Sequence, residues 1–200
     1  MATSVVDICN NALVRIGSKT ITSLTDGDKV ANACNTVYER TRDTLLRMHL
    51  WNFAVTRQEL ASEEDAPAFG LSYSFPLPAD FIRAVALDNT DEPYKIEKGK
   101  LLTNSSTAQL IYVARIEDVT KFDPLFIEAL ILMLGINLSY ILIGSGGREN
   151  SLKEELKSTL FLAKQVDGQD DTPDQLTADT FLRGKLGFRD PTKVYGDWSV

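Results

Sequence analysis

Residues 45–55 read Leu45-Leu46-Arg47-Met48-His49-Leu50-Trp51-Asn52-Phe53-Ala54-Val55, and the apolar period changes inside this run. Upstream, Ala33, Cys34, Val37, Thr41, Leu45 and Met48 recur at three- and four-residue steps, the mark of an amphipathic helix. From Trp51 onward, Phe53 and Val55 alternate with polar neighbours, as strand residues do. The chain therefore leaves helix for sheet at Trp51, and the rest of the sequence can be sorted from that point.

Towards the N-terminus lies a first helix. Ser4 and Asp7 form a capping-box pair, Val5, Ile8, Cys9, Ala12, Leu13 and Ile16 make one apolar face, and Gly17 suits the closing position. Asp26-Gly27-Asp28 supplies a turn and the N-cap of the second helix. The other face of that helix carries Glu39, Arg40, Arg42, Asp43 and Arg47, a mixed-sign set that predicts a solvated or intersubunit surface.

Towards the C-terminus, Phe81 to Leu87 is rich in branched and aromatic residues, and Gln109 to Ile116 reads as a further strand. Between them, 94–103 centres on Lys98-Gly99 and predicts a tight hairpin carrying Tyr94, Lys95, Lys98 and Lys100. Asp123-Pro124 then starts a third helix, Leu125 to Ile143, the most apolar segment of the chain. Its length approaches a bilayer's thickness, but Glu128 and Asn137 interrupt it and no basic flank orients it, so a buried central helix is expected and no membrane partner. A fourth helix follows from about Glu149 to Val166, with Leu152, Leu156, Leu160 and Ala163 on one side.

This pattern predicts an α+β chain, mainly helical. Residues 1–50 and 122–167 form an antiparallel four-helix bundle, 51–121 an inserted small antiparallel β module with the hairpin, and 168–200 an extended C-terminal arm. Five aspartates fall between Asp167 and Asp179 without a Lys or Arg among them. Beyond lie isolated apolar anchors, namely Leu176, Phe181, Leu182, Leu186, Phe188, Tyr195 and Trp198. They are too sparse to build a core and are spaced for binding a partner.

Composition narrows the function classes. A net charge of -7 argues against condensation on a nucleic-acid backbone, which needs clustered cations. Cys9 and Cys34 sit among helix-patterned apolar residues and read as small core groups of a reducing cytoplasm, and the N-terminus shows no basic region followed by an apolar run. The single histidine, His49, lies beside Trp51 and reads as a packing residue at a helix end. One His and two separated Cys make no zinc cluster, and the Gly144–Gly147 turn lacks the Lys-Ser/Thr of a phosphate loop. No catalytic set, metal site or cofactor is expected. A hydrolase would have to use carboxylates such as Glu63, Glu64 and Asp65, which sit in a loop without a cleft signature and read as a solvated acidic turn.

One ordered set of motifs spans residues 4–173. It runs Ala12-Leu13, Ile16-Gly17, Ile21-Thr22-Ser23-Leu24, Tyr38, Arg42-Asp43-Thr44-Leu45-Leu46-Arg47 and His49-Leu50-Trp51-Asn52-Phe53-Ala54. Leu77-Pro78-Ala79-Asp80-Phe81, Phe126-Ile127-Glu128-Ala129-Leu130 and the stretch from Ala163 to Pro173 follow. Together they resemble the tail tubular protein A family, the head-to-tail adaptors of short-tailed bacteriophages. One departure is Leu50, where relatives often carry Pro before the Trp. The resemblance implies a structural protein of the virion neck, assembled in the host bacterial cytoplasm. It implies a homo-oligomeric ring, typically of twelve copies, beneath the portal protein. Such a ring extends the DNA channel, passes the genome without sequence-specific binding, and presents a platform for the next tail or nozzle protein. In relatives, C-terminal segments reach the portal, and 168–200 corresponds by position. The hairpin is then a contact for the tail partner or a neighbouring subunit. Two alternatives stay open at this point: a neck connector of a longer-tailed phage, and a tail-associated hydrolase.

Overall fold

Helix α1, Val5–Ile16, begins where Ser4 and Asp7 satisfy each other's backbone amides and ends at Gly17, whose φ of 76° lets its N–H reach the carbonyls of Leu13 and Val14. Helix α2, Lys29–Met48, starts on Asp28, whose carboxylate accepts from the Ala31 N–H at 2.7 Å. It ends at His49, which is extended. Trp51 then folds back and donates its indole N–H to the Leu45 carbonyl at 3.0 Å. That carbonyl lies in the last turn of the helix, so the indole closes its end. After a 3-10 turn at Asn52–Ala54 the chain enters strand β1, Val55–Leu60.

The structure is a computed structural model that describes residues 4–63, 67, 69–88, 93–144 and 148–170. Among the described residues, six strands form two antiparallel three-stranded sheets. The first has the order β1-β6-β3, with β6 at Ala108–Ala114 and β3 at Phe81–Leu87. The second has the order β2-β5-β4, with β2 at Tyr73–Pro76, β5 at Lys100–Thr103 and β4 at Tyr94–Glu97. In β6, Ala108, Leu110, Tyr112 and Ala114 join Phe75 and Leu101 in a core between the sheets, whereas Val113 faces the helices. Two register shifts in β3 alter its period, so Phe81, Ala84 and Leu87 serve the inter-sheet core while Ile82 and Val85 pack towards the helices.

Helix α3, Pro124–Leu142, is capped by Asp123, which accepts from the Leu125 and Phe126 amides. It packs against both α1 and α2. It is long and apolar enough to cross a bilayer, yet half of that span is buried within the protein. Its polar interruptions are bonded inside the fold: Glu128 pairs with Arg15 of α1, and Asn137 donates to the Thr41 hydroxyl of α2 at 3.0 Å. Gly135 lies where a Cβ would meet Leu152, the Ala12 carbonyl and Ile16 at 3.6–3.8 Å, ordinary contact distances. Helix α4, Arg148–Asp170, adds Leu152 and Ala163 as buried hydrophobic groups among the described residues, with Leu156 and Leu160 partly covered.

The expected four-helix bundle with a small inserted β module is therefore wrong: the fold is α+β, four helices with two three-stranded antiparallel sheets. The bundle reading assumed that the helices' apolar stripes meet only one another. Instead Trp51, Ala54 and Val113 are buried in the same core as Leu13, Leu45 and Leu130, so the first sheet is a layer of that core. The chain divides into two compact units, Met1–Asp167 and Gly168–Val200; of the second, only the end of α4 lies among the described residues.

Two substitutions test this packing. Trp51→Ala is expected to lower unfolding free energy by about 3–5 kcal/mol, from the cavity and the lost carbonyl cap. Gly135→Ala is expected to raise it by about 0.5–1 kcal/mol, because the helix gains propensity and the methyl meets no short contact. Denaturant midpoints at unchanged slope measure both.

Candidate functional site

Two kinds of site were in prospect, catalytic and contact. His49 is half-buried and stands edge-on to Trp51, with ring centroids 4.9 Å apart. Glu63 accepts from Lys100 Nζ at 2.7 Å and Ser74 Oγ at 3.0 Å, and these bonds hold its carboxyl below the usual range. It is the anion of an ion pair, a poor candidate for a general acid at neutral pH. Glu64 and Asp65 lie outside the described residues. Among the described residues no three His, Cys, Asp or Glu side chains converge as a metal site. Two shallow depressions are lined by Arg15, Ser151, Leu152 and Glu155, about 300 Å³, and by Arg57, Gln58, Glu59, Asp88, Gln109 and Ile111, about 220 Å³. In the first, Arg15 is already clamped between Glu128 and Glu155, joining α1, α3 and α4.

The buried titratable groups belong to the two cores. Cys9 and Cys34 are fully buried and contact each other, which, with burial, pushes the Cys9 thiol up. Tyr38, one turn beyond Cys34, is buried with its hydroxyl unpartnered, and burial pushes it up to about 12. Tyr112 donates to Asp80 at 3.0 Å, with Gln58 at 3.2 Å; burial and that carboxylate push it up to about 12.

The mixed-sign face of α2 is divided by the structure. Glu39 and Arg40 are exposed. Arg42 is buried, its Nε 2.9 Å from Asp43 Oδ1, while Asp43 Oδ2 accepts from Arg115 Nε, also at 2.9 Å, just beyond β6. Arg47 donates to the Ile82 carbonyl of β3 at 2.5 Å. Asp43 and Arg47 thus stitch helix to sheet within one chain, Arg42 is buried against Asp43 on the same helix, and Glu39 and Arg40 remain for an outside contact.

Lys98 and Gly99, with φ of 49° and 75°, form the left-handed tip between β4 and β5. Tyr94 is half-buried against the inter-sheet core, Lys95 is exposed, and Lys100 is held by Glu63. The anchors Leu176, Phe181, Leu182, Leu186, Phe188, Tyr195 and Trp198 lie outside the described residues.

Sequence reasoning missed a set of bare apolar side chains. Phe69 is 90% exposed, Tyr140 73% and Phe161 65%, with Ile143, Leu162 and Val166 also exposed. The signal was present in α4: Phe161, Leu162 and Val166 fall off the stripe made by Leu152, Leu156, Leu160 and Ala163, so that helix is apolar on two sides. Neither a family model nor a curated protein matches this sequence.

Asp43→Ala is expected to cost roughly 2–3 kcal/mol of stability, because it strands the buried Arg42 guanidinium and frees Arg115. Glu39→Ala and Arg40→Ala should each stay within about 0.5 kcal/mol. Equal effects from all three in chemical denaturation would contradict this division of the face.

Proposed function

We propose that this chain is a structural head-to-tail adaptor of a bacteriophage, acting as a ring subunit under the portal and as the platform for the next tail protein. The observation that carries the reading is the ordered motif set shared in kind with the tail tubular protein A family. Support comes from where those motifs sit. Trp51 and Phe53 each stand edge-on to Phe126 in one aromatic group. Asp43, braced by Arg42, and Arg47 join α2 to the first sheet. Asp80 receives the Tyr112 hydroxyl and, through its carbonyl, the Arg115 amide at 2.6 Å. The motifs are framework residues, the kind a shared fold requires.

A ring needs two different lateral faces per subunit that close on each other. The exposed groups of α3 and α4, Tyr140, Ile143, Phe161, Leu162 and Val166, supply apolar area for such faces, and Glu39 and Arg40 supply a charged rim. A net charge of -7 per copy, repeated around a lumen, repels DNA phosphates and lets the genome slide. The sparse anchors of 168–200 suit an arm that orders on the portal, with its aspartates left in water or facing basic groups.

Mixed with portal particles, the full chain is expected to add a closed ring visible by electron microscopy; failure to bind at any ionic strength overturns the adaptor reading. A chain ending at Asp167 should keep its circular-dichroism spectrum and lose docking. Normal docking by that truncated chain overturns the role of the arm.

A further inference from the structure

The hairpin strand β4 reads Tyr94-Lys95-Ile96-Glu97, and its outer edge meets no hydrogen-bonding partner among the described residues. The two-residue turn at Lys98-Gly99 makes Glu97 and Lys100 the flanking, hydrogen-bonded pair of the hairpin. Alternation along the strand then turns the N–H and C=O of Lys95 towards β5 and those of Ile96 outwards. Ile96 is also 40% exposed, an apolar side chain at an open edge. Lys95 and Glu97 point to the opposite face of the sheet, both exposed, and neither is in an ion pair among the described residues.

We propose that two copies of the free chain pair through β4, antiparallel and centred on Ile96, joining two three-stranded sheets into one of six strands. The strand's own charges select this occupant and this register. With the two-fold axis at Ile96, Lys95 of each copy stands opposite Glu97 of the other, in a non-hydrogen-bonded pair where side chains lie closest. Ile96 meets Ile96 and exchanges both backbone hydrogen bonds. Centring on Lys95 sets lysine against lysine, and centring on Glu97 sets glutamate against glutamate. Lysines on an edge strand ordinarily keep other chains away; here the alternation admits one register and opposes its neighbours.

Other edges are less suited. The Glu63 amide already bonds the Ser74 carbonyl of β2 at 2.8 Å, and Arg47 occupies the Ile82 carbonyl of β3. Strand β1 carries a similar alternation, Arg57 and Glu59 about Gln58, but that residue is polar and lies beside the Tyr112 hydroxyl, so pairing there buries no apolar group. The contact of a four-residue strand is small and belongs to the transient class. Being isologous, it closes on itself and cannot propagate around a ring, so it describes the chain before assembly and does not depend on the adaptor reading.

Sedimentation equilibrium of the full chain, at rising concentration and low salt, is expected to show monomer and dimer, with the dimer weakened by added salt. Lys95→Glu alone and Glu97→Lys alone should each weaken the dimer at least tenfold. Mixing these two variants should restore it as a heterodimer, as should combining both changes in one chain. Arg57→Glu should leave it unchanged. Ile96→Pro, which removes the outward N–H, should abolish it while the circular-dichroism spectrum is kept. A wild-type chain monomeric throughout overturns the proposal. So do single variants that dimerise like wild type, a mixture that fails to pair, or a dimer lost on Arg57→Glu.

Discussion

Everything in the body of this protein turns on the place where Trp51 sits. Its indole N–H closes the end of α2 at the Leu45 carbonyl, and its ring stands edge-on to Phe126 with centroids 5.0 Å apart. Phe53 and Phe122 complete the group around Phe126. One side chain thereby ties the exit of α2, the entry to β1 and the first turn of α3. Offset aromatic contacts add about 0.5–1.5 kcal/mol each beyond the area they bury. Their larger effect is geometric, because they fix the angle at which helix gives way to strand. The buried N–H is satisfied by a carbonyl of the last helical turn, so it carries no unpaired desolvation cost.

From that joint the helical and strand layers share a single core. Helix α3 is apolar around most of its surface because α1 and α2 both cover it. The two polar side chains that interrupt it are used as links, Glu128 to Arg15 and Asn137 to Thr41. Glu128 and Asn137 are each answered by a neighbour on a different helix, which sets helix rotation as well as stability. The same device appears at the sheet, where Asp43 is shared between Arg42 and Arg115.

Local chemistry was legible from residues alone: the Ser4–Asp7 capping box, Gly17, the Asp28 and Asp123 caps, and the Lys98-Gly99 turn all appear where spacing places them. These signals act within a few residues, so periodicity and turn chemistry carry them. Layering was not legible. Whether Val113 faces helices or strands depends on contacts across the chain, and β3 hides its two faces because register shifts break the period of two. Strand β2 ends in Pro76, a residue that argues against a strand in sequence; an edge strand tolerates Pro because its outer N–H needs no ladder partner. The α2 face misled for a related reason. Arg and Asp look alike in sequence whether they meet water or each other, and only the fold brings Arg115 to Asp43.

That redistribution of charge bears on how the molecule meets other molecules. Arg42, Asp43, Arg47 and Arg115 are engaged inside the chain, and Arg15 and Lys100 are matched by Glu128, Glu155 and Glu63. With a net charge of -7, the chain carries an excess of acidic groups beside bare apolar points such as Tyr140 and Phe161. Copies of such a chain repel at a distance, and the repulsion is screened within about 8–10 Å at ordinary salt. Association must then come from close apolar fit or from places where opposite charges alternate along an open edge. The apolar points on α3 and α4 are of the first kind and β4 is of the second. The two differ in reach and in salt response, so a chain of this design can hold apart in solution and still close tightly once a partner sets its copies side by side.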